Sequence, residues 1–143
     1  MKKLLIYLSV SLISIISYSQ AFIGVQINSM GAGLNLGIEV NNVSVIAGYN
    51  MPFLKATMPG LYYLETGYTY KFTEQEPFSV SMYAGAAAAQ SKIILKDNTT
   101  LDNNRVVPIV NLEIGKDWNT GRLFVTCGYA TKLYYGVGIK AFF

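Results

Sequence analysis

Eight successive stretches of this chain alternate, residue by residue, between apolar side chains and small or polar ones, and that two-residue period restricts its fold more than any other feature. A β-strand sends successive side chains to opposite faces, so sustained alternation marks a strand with two unlike sides. Cut at its turn signals, the sequence places strands at 21–29, 33–40, 43–51, 61–72, 78–90, 106–118, 122–130 and 134–143. In the second, Leu34, Leu36, Ile38 and Val40 oppose Gly33, Asn35, Gly37 and Glu39. In the seventh, Leu123, Val125, Cys127 and Tyr129 oppose Arg122, Phe124, Thr126 and Gly128. Met30-Gly31-Ala32, Asn41-Asn42, Thr73–Pro77 and Asn119-Thr120-Gly121 read as short turns, and Asn tolerates the positive φ of a two-residue hairpin. Residues 52–60, with Pro52 and Pro59-Gly60, and 91–105, with the polar KDNTTLDNNR, read as longer loops. No part of 20–143 calls for a helix.

The two phases differ in a consistent way. Each strand carries a glycine on its polar phase: Gly24, Gly37, Gly48, Gly67, Gly85, Gly115, Gly128 and Gly138. The same phase holds nearly all the strand charges, Glu39, Glu65, Glu113 and Asp117 against Lys71, Arg122 and Lys140. An eight-stranded barrel is only wide enough for its inward side chains to fill it. Small residues on the inward phase make room for large ones such as Tyr83 and Phe124, and charges of both signs can pair there. Lys116, on the outward phase, stands two residues from its strand end beside Trp118, where a long side chain can snorkel.

The front of the chain says where such a barrel would go. MKKLLIYLSVSLISIISYSQ has a basic start at Lys2 and Lys3, an apolar run at 4–16 and small residues at Ser17 and Ser19. This is the pattern of a cleavable secretory signal, residues 1–19, leaving one domain at 20–143. The apolar run is shorter than the roughly 20 residues a membrane helix needs. With the two lysines removed, the formal charge falls from +3 to near zero, which gives no electrostatic case for nucleic acid. The single cysteine, Cys127, excludes an internal disulfide. Hydrophobic residues make up 52% and charged residues 13%, about half the charged share of an average soluble domain. An exported, apolar, Gly- and Tyr-rich chain without a spanning helix points to the other structure that satisfies every backbone group in lipid, a closed barrel.

The fold expected is therefore all-β: an eight-stranded antiparallel up-and-down transmembrane β-barrel, its apolar phase facing outer-membrane lipid. Lumen charges Glu39, Glu65, Lys71, Glu113, Arg122 and Lys140 would form an internal polar network. With the N-terminus on the periplasmic side, outward aromatics fall into two girdles. Phe72, Phe78, Trp118 and Phe143 stand at the periplasmic ends, and Tyr49, Tyr62, Tyr129 and Tyr135 at the outer ends. Pro108 would remove a ladder donor, so it is expected near the outer end of its strand, at the bilayer edge or a bulge.

The last strand, YYGVGIKAFF, closes the pattern by pairing back to 21–29. The mature chain resembles the small eight-stranded outer-membrane barrels of the OmpA/OmpX type. The resemblance rests on the alternating strands and on a final strand ending in Phe143. It implies location in the outer membrane of a Gram-negative bacterium, and recognition of the last strand by the barrel assembly machinery.

Little in the sequence points to catalysis. There is no histidine, which removes Ser–His–Asp and Cys–His chemistry and histidine metal sites. Glu65 and Glu113 share the lumen phase and could in principle act as an acid–base pair, but a satisfied charge network accounts for them more simply. Cys127, on the lipid phase, reads as a passive apolar residue. Asp97, Asn98, Asp102, Asn103 and Asn104 match no calcium-loop spacing. No catalytic residue, cofactor or metal is expected, and the extracellular partner is unknown. The function expected is non-enzymatic, structural or a surface contact made by 52–60 and 91–105. Two rivals remain. A soluble lipocalin-like barrel would turn its apolar phase inward around a ligand. A small channel would conduct.

Overall fold

The computed structural model describes residues 19–53, 60–72, 77–94 and 100–143, with side chains outside 91–94 and 100–103. Its eight strands are β1 (Gln20–Asn28), β2 (Gly31–Val40), β3 (Val43–Pro52), β4 (Gly60–Lys71), β5 (Phe78–Ile94), β6 (Thr100–Trp118), β7 (Gly121–Tyr129) and β8 (Leu133–Phe142). Each pairs antiparallel with the next, and β8 returns to β1 through Phe22↔Phe142 to Asn28↔Gly136, so the sheet closes into an up-and-down barrel. Beyond the last register pair, Ala21 and Phe143 exchange two backbone hydrogen bonds, at 3.1 and 2.9 Å. Both chain ends of the barrel, the turns at 41–42 and 119–120 and the strand ends Lys71 and Phe78 lie at one end, here the terminal end; the turn expected at 73–77 falls mostly outside the described residues. The opposite, distal end carries the connections 29–30 and 130–132 and the strand ends Pro52, Gly60, Ile94 and Thr100; the loop expected at 52–60 falls mostly outside the described residues. The expected export signal, apart from Ser19, lies outside the described residues.

Alternation sets the two faces of every strand. In β1, Ile23, Val25 and Ile27 are exposed, while Phe22, Gly24, Gln26 and Asn28 are buried. β2 and β7 repeat the pattern with Leu34, Leu36, Leu123 and Val125 outside and Asn35, Glu39, Arg122 and Phe124 inside. The core is the barrel interior, where Phe22, Ile46, Leu61, Tyr83 and Phe124 are buried. The Asn41-Asn42 turn closes as expected: both residues have positive φ, 49° and 68°, and Val40 pairs with Val43 across it.

Three expectations are corrected. The first turn is Ser29-Met30 rather than 30–32, and Gly31 already belongs to β2. The Asn28 side-chain oxygen accepts from the backbone N–H of Met30 at 2.9 Å and of Gly31 at 3.0 Å, so it turns the chain one residue early. The loop read at 91–105 is largely strand. β5 and β6 stay in register out to Ile94↔Thr100, leaving only 95–99 between them. Asp and Asn are poor strand formers, but cross-strand pairing in a long hairpin overrides propensity, and both faces of a hairpin beyond the rim can be polar. The β4–β5 ladder stops at Gly60↔Gln90 and the β6–β7 ladder at Val110↔Tyr129, so this hairpin rises past its neighbours. Pro108 sits on that rising part, in unbulged register opposite Ala86 and beyond the end of the β6–β7 ladder. No bulge is needed, because β6 has a neighbour on one side only there.

Candidate functional site

The interior is the first place to look for chemistry, because five large aromatic side chains and most of the strand charges meet there. Each of these five lies directly across the ladder from a glycine. The pairs are Phe22↔Gly37, Tyr63↔Gly48, Tyr83↔Gly67, Phe124↔Gly138 and Tyr134↔Gly128. A Cβ at any of these glycines would strike the partner ring. At Gly67 it would also meet the Met82 carbonyl, so both ring and backbone crowd the position. The glycines are thus slots for particular rings.

The charges fall into three ion pairs rather than one continuous network. Lys140 Nζ donates to Glu113 Oε2 at 2.5 Å, both side chains almost wholly buried. The same ammonium lies 3.4 Å from the Tyr83 hydroxyl and 4.8–5.3 Å from the ring centres of Phe124, Tyr83 and Phe22. Arg122 Nε donates to Asp117 Oδ1, its Nη1 reaches Ser81 Oγ at 3.4 Å, and its guanidinium stacks 5.5 Å from the Phe142 ring centre. Lys71 approaches Glu39 at 3.6 Å from the terminal rim, where it is half exposed, and Ser44 donates to the same carboxylate at 3.3 Å. Neutral side chains extend these pairs: Thr126 donates to Asn111, Asn111 to Glu113, and Thr69 bonds Ser81 at 2.9 Å. Glu65 joins none of the three pairs. It is 3% exposed, and its Oε1 has no hydrogen-bond partner among the described residues.

Tyr63 and Tyr134 were not singled out from sequence, although both are buried in the lumen. The signal was available: each is offset by one from an outward tyrosine, Tyr62 or Tyr135, so a tyrosine pair on a strand must place one ring on each face.

Outside, the apolar phase forms a belt around the barrel, from Ile23 and Leu34 through Leu64 and Met82 to Leu123 and Ile139, all six exposed. A nine-residue strand tilted by about 40° spans roughly 23 Å, close to the roughly 25 Å apolar band of a membrane barrel. Toward the terminal end stand Phe72, Phe78, Trp118 and Phe143, all exposed. Tyr62, Tyr129 and Tyr135 are exposed toward the distal end. Tyr49, opposite Tyr62, is partly covered by it, with ring centres 4.4 Å apart. Cys127 is exposed on the same outer face. Among the described residues no group of three or more Cys, Asp or Glu could hold a metal ion.

A closed eight-stranded up-and-down sheet with polar and aromatic side chains inside and apolar ones outside is the architecture of a small transmembrane β-barrel. No family model matches the chain, and no curated protein matches it in sequence. Solved structures match it in fold. The N-terminal β-barrel domain of Pseudomonas aeruginosa OprF aligns with a TM-score of 0.62 at 13% identity, over 87% of this chain and 97% of that one. Ail, the attachment invasion locus protein of Yersinia pestis, solved with the heparin analogue sucrose octasulfate, aligns at 0.57 and 12% identity, over 87% and 96%. Neisserial surface protein A aligns at 0.56 and 13%, over 87% and 96%. The fold is that of the OmpA/OmpX-type eight-stranded barrels.

Proposed function

We propose that this chain is a non-enzymatic integral protein of a Gram-negative outer membrane, exported by residues 1–19 and inserted through its closing strand by the barrel assembly machinery. Its lumen is plugged by its own side chains, and its role is structural or a contact made by the distal end. The observation that carries the reading is the exposed apolar belt. A soluble monomer rarely exposes an apolar patch beyond a few hundred Å², and here some thirty large hydrophobic side chains stand outward all round the sheet. Burying them in lipid removes that cost, and the two sets of outward aromatics would sit at the two interfaces as girdles. A lipocalin-like barrel needs the reverse arrangement, with charges outside and the apolar phase around a ligand. The buried Arg122, Lys140, Tyr83 and Phe124 support a plug over a conducting pore. With no histidine and with Glu113 committed to Lys140, the interior favours packing over acid–base catalysis.

The test is to refold the chain in detergent micelles and in detergent-free buffer. Each sample is then run on SDS gels with and without boiling, beside far-ultraviolet circular dichroism. The expected result is a β-spectrum and a heat-dependent mobility shift in detergent alone. A soluble, monomeric β-protein without detergent refutes the lipid-facing belt.

A further inference from the structure

The inward charges do not balance. Leaving aside Arg105, exposed on the part of β6 beyond the β6–β7 ladder, three inward cations face four carboxylates, and the ion pairs Lys71–Glu39, Arg122–Asp117 and Lys140–Glu113 leave Glu65 over. A buried carboxylate without a cationic partner is costly unless something of opposite charge reaches it. Beside Glu65, just below the distal mouth, lies a cavity of about 10 Å³, close to the least that holds a water-sized occupant. Its lining includes the amide groups of Gln26, Asn28, Asn50 and Asn111 and the phenols of Tyr63 and Tyr134, with apolar side chains between them. Glu65 is itself part of this lining, and its Oε1 is buried with no partner among the described residues.

We propose that this cavity binds one small monovalent cation, Na⁺ by its size and oxygen donors, as the missing counter-charge to Glu65. Carboxylate, amide and phenol oxygens are hard donors, suited to hard cations rather than to thiophilic metals. A single carboxylate matches a single positive charge. A divalent ion would leave the interior with excess positive charge and would want more carboxylates than this lining holds. The lysines do not fill the role: Lys140 is near enough to attract Glu65 but its ammonium is bound by Glu113 and three aromatic faces, and Lys71 sits at the opposite rim. The site rests on the plugged-lumen reading and gives the plug a ligand.

The test uses the full chain folded in a non-ionic detergent. Thermal unfolding is followed by the loss of heat-dependent gel mobility while NaCl replaces choline chloride at constant ionic strength. A ligand that binds only the folded state raises the midpoint in a saturable way, here by about 3–6 °C. Glu65→Gln keeps the shape and removes the charge, so its midpoint is expected to be flat across the same titration. A flat wild-type response overturns the proposal, as does a variant that responds like the wild type. The alternative occupant is a proton on Glu65, which predicts that flat response together with a protonated-carboxyl infrared band at neutral pH. If the variant does not fold, ²³Na relaxation on the wild type decides. Saturable excess broadening relieved by Li⁺ supports the site, and none overturns it. Planar-bilayer conductance measured alongside separates the two readings: ion flow refutes the plug, whereas a silent barrel with no Na⁺ response refutes the site alone.

Discussion

The buried Lys140–Glu113 pair permits a quantitative test of how the interior is held. Glu113→Gln leaves the ammonium 1% exposed and without a counter-charge, with a neutral amide oxygen, the Tyr83 hydroxyl and three ring faces as its neighbours. Removing one partner of a buried pair costs about 3–5 kcal/mol, because the survivor is stranded away from water. Each ring face returns about 0.5–2 kcal/mol at most, but those contacts exist in the parent too and add nothing new. Lys140→Met strands the carboxylate instead, beside Asn111 and within the same interior as Glu65, and is expected to cost at least as much. The double variant strands no charge and is expected to lose only about 1–2 kcal/mol, from imperfect packing and one lost hydrogen bond. The coupling between the two sites is then several kcal/mol. The assay is equilibrium urea unfolding in lipid vesicles, followed by the fluorescence of Trp118, the chain's single tryptophan. Single variants within about 0.5 kcal/mol of the parent, or a double variant as weak as the sum of the singles, would refute the reasoning. The lumen would then be wetter and more pliable than its close contacts imply.

Other outcomes follow from the same geometry. Gly67→Val drives a branched side chain into the Tyr83 ring and the Met82 carbonyl, and is expected to cost about 1–3 kcal/mol in the urea assay. Tyr83→Ala in the same chain should relieve the ring clash but not the backbone one, so rescue is expected to be partial; full rescue would contradict the backbone contact. Asn42→Gly is expected to leave stability nearly unchanged, whereas Asn42→Val should lower it by about 1–2 kcal/mol, since φ is 68° there and a β-branched side chain resists that region. In vesicles of brominated lipid, Trp118 emission is expected to be strongly quenched, and unquenched emission at the wavelength of a water-exposed indole would remove Trp118 from the proposed girdle.

Much of the barrel was legible because the alternation itself is physical. Leu34, Leu36 and Ile38 cannot share a face with Asn35, Gly37 and Glu39 in an extended strand, and all of them lie where that rule sends them. Chain direction, strand number and the Asn41-Asn42 turn follow from equally local chemistry. Register was not legible. A period of two says which face a residue takes but not which residue lies across from it. Hence the inward glycines were readable as small, while the partnership of Gly67 with Tyr83 or of Gly138 with Phe124 was not. Pairing also explains the extended hairpin: Asn103, Asn104 and Arg105 look like loop taken singly and are strand because Ser91, Gln90 and Ala89 lie opposite. The isolation of Glu65 likewise emerges only when the three cations have been assigned to other carboxylates.

The order of strands around the sheet has a kinetic meaning. Seven of the eight ladders join neighbours along the chain, so each can zip as a hairpin with little loop entropy to overcome. The eighth, β1 with β8, joins the two ends of the domain and can form only when everything between them has curved far enough round. Until then the sheet has two open edges whose N–H and C=O groups lipid cannot satisfy. The seam from Phe22↔Phe142 to Asn28↔Gly136 is therefore the ladder that can form last: before it closes the sheet is a ribbon with two free edges, and after it closes neither of those edges remains.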